Sequence, residues 1–97
     1  MVMQKDNFKG VVAERMRRKL EAALQPLELS VTDISHRHAG HAGARPEGET
    51  HFEVAIVSEK FRGQSRVQRH QRVYEVLKEE MGNPVHALAI RAEVPGK

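Results

Sequence analysis

The stretch from Phe52 to Ile90 decides the fold, with the sequence FEVAIV at residues 52–57, SRVQRHQRVYEVLKEEM at 65–81 and VHALAI at 85–90. In the first segment apolar residues recur at a period of two, which indicates a β-strand, and the third segment is also typical of a strand. The middle segment is periodic at helical spacing. Two strands of one sheet joined by a helix form a right-handed crossover, so we expect these strands to run parallel.

The helix of this crossover has predicted ends and a predicted buried face. Ser65 and Gln68 fit a capping box, in which the two side chains satisfy free backbone N–H groups of the first turn. Gly82 is suited to the left-handed residue that ends a helix, so we expect the helix to reach Met81. The residues predicted to face the core are Val67, His70, Tyr74, Leu77 and Met81, widened by Val73 and Val76.

The chain before this unit supplies another helix and another strand. Apolar residues recur at helical spacing from Phe8 to Leu24, and the helix should end before Pro26. Alternating apolar residues over 27–32 indicate a strand that pairs antiparallel with the next one. The order helix, strand, strand, helix, strand predicts one α+β domain over residues 1–97, a three-stranded mixed sheet with both helices packed on one face.

Composition places the chain among small soluble domains. It has 97 residues, a formal net charge of +3 and no cysteine, so it contributes no disulfide, catalytic thiol or thiolate metal ligand. No run of about 18 apolar residues is present that would span a membrane, and residues 1–10 lack the apolar core of a secretory signal. We therefore expect a cytoplasmic protein without a membrane partner, with flexible termini at residues 1–7 and 95–97.

Residues 35–50 form the long connection between the first two strands, and this loop is rich in histidine and glycine. His36, His38 and His41 have the spacing H-x-H-x-x-H, and imidazole is a common ligand of transition metals. Without thiolates, on a glycine-containing loop, they suggest an incomplete metal site that a partner finishes. The alternative is that these histidines are only polar loop residues.

His86 is a second histidine of interest, because it lies at the start of the third strand. Parallel strands begin at the same end of a sheet, so we expect His86 to lie near the His-rich loop, which leads into the second strand. His51, at the mouth of the second strand, is a candidate to support a ligand. The alternative for His86 is a histidine packed beside Leu88 with its ring nitrogens bonded to backbone. His70, on the predicted buried face of the helix, is expected to be structural.

Common catalytic patterns are absent from the sequence, which has no P-loop, no GxGxxG and no nucleophile elbow around a serine. We therefore expect a protein that is not an enzyme. Nucleic acid is the competing partner, because the helix region Ser65–Met81 carries Arg66, Arg69 and Arg72, which are suited to phosphate contacts. The single Gly63 before this helix falls short of the GXXG loop of KH domains.

Five short motifs, in this order and spacing, resemble the BolA family over about residues 11–95. They are SHRHAGH at residues 35–41, ETHF at 49–52, VSEKFRG at 57–63, RHQRVY at 69–74 and VHAL at 85–88. The resemblance implies an α+β domain similar to the class II KH fold. The family also contains members described as DNA-binding transcriptional regulators, which keeps DNA as an alternative partner through the Ser65–Met81 region.

The resemblance further implies a non-enzymatic partner of monothiol glutaredoxins, which shares a bridging 2Fe-2S cluster for iron–sulfur trafficking or iron and redox regulation. In that family the glutaredoxin supplies a cysteine and its bound glutathione a second thiolate, so no cofactor is expected in the isolated protein. The match to the family's Val-His-Ala motif makes His86 a cluster ligand. The second family ligand is a histidine or cysteine of the loop. Here His41, among glycines, is the first choice and His38 the alternative.

Overall fold

The computed structural model describes residues 10–35 and 49–96, which form two helices and one three-stranded sheet. The elements are, in chain order, α1 (Val11–Leu24), β1 (Glu28–Asp33), β2 (His51–Val57), a 3-10 helix (Glu59–Phe61), α2 (Arg66–Val76) and β3 (Ala87–Glu93). The predicted α+β order of helices and strands is confirmed. Most of the predicted His-rich loop and the predicted flexible segment 1–7 lie outside the described residues.

The central strand of the sheet is β2, with β1 antiparallel on one side and β3 parallel on the other. Both predicted pairings are therefore confirmed. The register of the parallel pair places His51 opposite Ala87 and Val57 opposite Glu93. Consequently the first residues of β2 and β3 lie side by side at one end of the sheet.

The core lies between the sheet and the two helices, which pack on the same face as predicted. α1 directs every fourth residue toward it, and β2 directs alternate residues toward it, because these are the periods of the two elements. The opposite face of the sheet is open, and its side chains are small or polar. The core residues from α1 and β2 are Val12, Met16, Leu20, Leu24, Phe52, Val54 and Ile56; exposed residues of the open face are Ser30, Thr32, Glu53, Ala55 and Ala89.

A buried carboxylate joins α1 to the chain that follows α2. The Glu80 side chain is 1% exposed, and its Oε2 atom accepts hydrogen bonds from Arg15 Nε at 2.7 Å and Lys19 Nζ at 2.9 Å. Two cations make the burial of this charge tolerable. Lys19 also binds the exposed Glu79 at 2.7 Å, and that hydrogen bond raises the pKa of Lys19 from its ordinary 10.5 and lowers the pKa of Glu79 from 4.5.

The predicted course of α2 is wrong in two respects. The helix ends at Val76 rather than at Met81, because the N–H of Glu80 bonds the Leu77 carbonyl in a tighter turn that carries Glu80 into the interior. The buried face is predicted correctly at Val73 and Leu77, which are fully buried, and wrongly at Val67 and Tyr74, which are 63% and 40% exposed. The second half of the helix and its C-cap therefore face the core, where Val76 also packs.

Two other predicted boundaries also differ. α1 begins at Val11, because Gly10 before it has the left-handed backbone angle φ 81°, and Phe8, the predicted start, lies outside the described residues. β3 covers Ala87–Glu93 rather than residues 85–90, because the N–H of Val85 bonds the Glu80 carbonyl in the preceding turn. Within the described ranges, no helix is long and apolar enough to cross a membrane.

Candidate metal centre

His86 lies immediately before β3, and its side chain is exposed. Its backbone N–H donates to the Thr50 carbonyl at 2.7 Å, and the N–H of Ala87 donates to the same oxygen at 3.2 Å. The main chain at His86 is therefore held firmly while its imidazole remains accessible. The alternative prediction, in which His86 packs as an internal histidine beside Leu88, is wrong because the side chain is at the surface.

His51 lies next to His86, because the parallel register brings the first residues of β2 and β3 together. The two imidazole ring centroids are 6.3 Å apart, and the ring planes differ by 16°. His51 is 8% exposed, and its Nδ1 shares a hydrogen bond of 2.8 Å with the hydroxyl of Thr50. The predicted approach of the two strand starts is confirmed, and it places a buried imidazole beside an exposed one.

The two described ends of the His-rich loop are tied together by Asp33 and Ser35. The Ser35 hydroxyl donates to the Asp33 carboxylate and accepts from the backbone N–H groups of Thr50 and His51, at 2.9 and 3.1 Å. Asp33 also accepts from the N–H of Glu49 at 3.0 Å. These groups are mostly buried, so the loop begins and ends at a fixed point close to His86. His36, His38 and His41 themselves lie outside the described residues.

This anchor was not predicted from the sequence. The available signal was the Asp-x-Ser pattern at the end of β1, since an aspartate commonly accepts from the N–H two residues later in an Asx-turn. Asp33 does so here, accepting from the N–H of Ser35 at 2.8 Å. The bonds from Thr50 and Glu49 depend on how the chain returns to the sheet, which the local pattern does not encode.

Glu49 links the same anchor to α1. Its Oε2 atom accepts from the N–H of Val12 at 3.0 Å and of Ala13 at 3.4 Å, the free donors in the first turn of the helix. Gly10 at the cap position has no side chain to perform this role. The backbone of Glu49 has a positive φ of 65° at this position. The residue that ends the loop therefore caps a helix far away in sequence.

The described imidazoles at this end of the sheet are those of His51 and His86. No group of three His, Cys, Asp or Glu side chains that would hold a metal ion exists among residues 10–35 and 49–96. An exposed imidazole such as His86 can donate one nitrogen lone pair to a metal ion.

The arginines predicted to contact nucleic acid are only partly available. Arg69 donates to the carbonyls of Gln64 and Ala92, each at 3.0 Å, and Arg72 donates to the Lys60 carbonyl at 3.2 Å. Arg66 is exposed at the start of α2. Two of the three guanidinium groups thus bind the main chain, although each keeps further N–H donors.

His70 lines a shallow groove between α2 and β3, together with Arg66, Arg69 and Ile90. It is half-buried. It lies on a different element from His51 and His86, toward the far end of β3 from them. His70 is therefore not part of the candidate centre.

The chain resembles known proteins over most of its length. The family model for BolA-like proteins matches residues 20–97. "Protein BOLA1, chloroplastic" from Arabidopsis thaliana is 48% identical over 87 residues, which are 88% of this chain and 54% of that protein. The "DNA-binding transcriptional regulator BolA" of Escherichia coli K12 is 44% identical over 80 residues, 82% of this chain and 72% of that protein.

The fold is similar to solved structures as well. The BolA domain of SufE1 from Arabidopsis thaliana superposes with a TM-score of 0.77 at 48% identity, covering 84% of this chain and 90% of that chain. The present chain spans 54% of the chloroplastic relative's length.

Proposed function

We propose a function for this chain from one premise, which is that it belongs to the BolA-like protein family. The chain acts as a non-enzymatic partner of a monothiol glutaredoxin in the cytoplasm, and the two proteins share a bridging 2Fe-2S cluster. The complex serves iron–sulfur trafficking or iron and redox regulation. When bound, the cluster supplies electron storage or an iron–sulfur unit for transfer.

One observation carries this proposal: the imidazole of His86 is exposed while its backbone is fixed by the Thr50 carbonyl. A ligand that must meet a partner's metal needs an accessible nitrogen on a rigid support. His86 has both. β3 is an edge strand of the sheet, and no other described strand pairs with its outer edge. A partner can therefore approach His86 from that side.

The composition of the chain agrees with a shared cluster. Iron–sulfur clusters are held by thiolates, or by two thiolates and two histidines in the Rieske type. This chain has no cysteine, so every thiolate of a shared cluster would come from another molecule. In this proposal these are a cysteine of the glutaredoxin and its bound glutathione. What the chain can contribute is imidazole, and His86 is the described residue suited to that role.

A second imidazole is expected from the loop, with His41 as the first choice and His38 as the alternative. Both lie outside the described residues. The proposal is supported by the loop's anchor, since Ser35 and Thr50 join its ends within one hydrogen bond of the His86 backbone. His41→Ala and His38→Ala are compared to identify this ligand. The substitution that changes the visible spectrum of the complex marks the histidine that binds the cluster.

The test is co-expression with a monothiol glutaredoxin, followed by visible absorbance and circular dichroism of the purified complex. The wild-type complex should show a cluster spectrum different from that of the glutaredoxin alone, and His86→Ala should abolish this difference. His70→Ala is the matched control, because it removes an imidazole elsewhere on the surface. An unchanged spectrum with His86→Ala would refute the ligand assignment.

DNA binding is the second candidate function, and it is favoured by the name of the Escherichia coli relative. In this chain Arg66 is the most available phosphate contact on α2, since Arg69 and Arg72 also bind the main chain. Binding to duplex should weaken as salt rises, with a log–log slope of about −3 if all three arginines contribute. Arg66→Ala should reduce that slope by about 1. No binding at ~50 mM salt would exclude this function.

A further inference from the structure

The rings of His51 and His86 lie side by side, but their surroundings differ. His51 is buried and its ring is anchored through Nδ1 to Thr50, whereas His86 is exposed. Their centroid separation of 6.3 Å lies within the range of about 4.5–7 Å over which aromatic rings interact favourably. The near-parallel ring planes, 16° apart, describe an offset stack. A fixed ring thus lies beside one that would otherwise rotate freely at the surface.

We propose that His51 is a positioning residue for His86, and that Thr50 sets the orientation of His51. The exposed imidazole of His86 has two rotatable bonds, and an unsupported surface side chain samples several rotamers. The neighbouring His51 ring favours one of them. The functional benefit of this positioning rests on the proposed function: a ligand that is already held in one orientation is ready to bind a cluster that the partner presents.

Thr50 contacts both histidines. Its hydroxyl bonds the His51 ring at 2.8 Å, and its carbonyl accepts the N–H of His86 at 2.7 Å. Its own N–H is held by the Ser35 hydroxyl at 2.9 Å. One fully buried residue therefore fixes the ring of the first histidine and the backbone of the second. His51 acts through His86 and is not itself assigned as a ligand.

The orientation of His86 is measured first in the isolated protein by NMR, without any cluster. Wild type should show a ring-to-ring NOE between His51 and His86, and side-chain couplings of His86 that indicate one dominant χ1 rotamer. In His51→Ala the couplings should move toward averaged values. His70→Ala is the control and should change nothing at His86.

Thr50→Val provides a second route if His51→Ala fails to fold. Valine keeps the shape of threonine but removes the hydroxyl that anchors His51, so the His86 couplings should again move toward averaging. Unchanged His86 couplings in a folded His51→Ala or Thr50→Val protein, or absence of the NOE in wild type, would overturn the proposal.

The second measurement uses the complex with a monothiol glutaredoxin. A ring contact of this kind changes an equilibrium by about 2-fold to 10-fold, so His51→Ala should lower the cluster occupancy at limiting partner by that factor while keeping the wild-type spectral shape. Loss of the spectral shape would instead make His51 a ligand and refute a positioning role. A wild-type complex without a cluster spectrum would refute the proposed function alone, because the NMR result stands independently.

Discussion

Replacing Glu49 with alanine should destabilise the fold by about 2 kcal/mol. The carboxylate accepts from the N–H groups of Val12 and Ala13 at 3.0 and 3.4 Å, and the side chain is buried. Removal of a helix cap costs about 0.5–2 kcal/mol, and a hydrogen bond to a charged group contributes about 1.5–3 kcal/mol. Only the 3.0 Å bond is short enough for the full contribution of a hydrogen bond. The two contributions are not additive, because both arise from the same carboxylate at the same end of α1.

Urea denaturation followed by circular dichroism measures the effect, and thermal unfolding should show a decrease in Tm of about 10 °C. Hydrogen exchange at Val12 and Ala13 should accelerate more than elsewhere in α1. Glu21→Ala, at an exposed position of the same helix, is the control and should remain within about 0.5 kcal/mol of wild type.

Glu49→Gly separates the cap from the backbone strain at this position. Glycine also lacks the carboxylate, but it relieves the positive φ of 65°, which costs an ordinary residue about 1 kcal/mol. The glycine variant should therefore be less destabilised than the alanine variant. An alanine variant as stable as wild type would refute the cap, and a glycine variant less stable than alanine would refute the strain.

Two further predictions concern the core and the surface charges. Val73→Ala should destabilise by about 2 kcal/mol in urea denaturation, whereas Val67→Ala on the exposed side of α2 should stay within about 0.5 kcal/mol; equal effects would contradict the observed orientation of the helix. The Lys19 hydrogen bond lowers the pKa of Glu79 from 4.5, so this carboxylate stabilises the fold above that pH and loses the contribution as the pH falls through its folded pKa. The stability difference between wild type and Glu79→Gln should accordingly shrink between ~pH 5 and ~pH 2, and a difference that grows on acidification would contradict the pairing.

Local patterns in the sequence predicted the features that depend on neighbouring residues. The capping box of α2 is an example, since Ser65 and Gln68 exchange bonds of 2.8 and 3.1 Å as predicted. The parallel pairing of β2 with β3 was also predicted, because chirality leaves one hand for a strand–helix–strand connection. That pairing correctly brought His86 to the end of the sheet where the His-rich loop returns.

Periodicity was less successful for the orientation of α2. Val67 and Tyr74 lie at the same helical spacing as core residues, yet both are exposed. The reason is that α2 packs beside β3, where the Tyr74 hydroxyl donates to the Leu88 carbonyl at 3.2 Å. A helix with apolar residues on more than one side has several possible buried faces, and its packing partner selects among them.

The sequence by itself determined the order of the elements, the pairing of the strands and the end of the sheet at which His86 lies. Only the tertiary structure decided that His86 is exposed beside a buried His51, that Glu49 caps α1, and that Glu80 is buried against Arg15. The capping contact joins residues 37 positions apart and the ion pair joins residues 65 positions apart. Such contacts join groups that share no local sequence pattern, so they follow from how the helices and the sheet pack together.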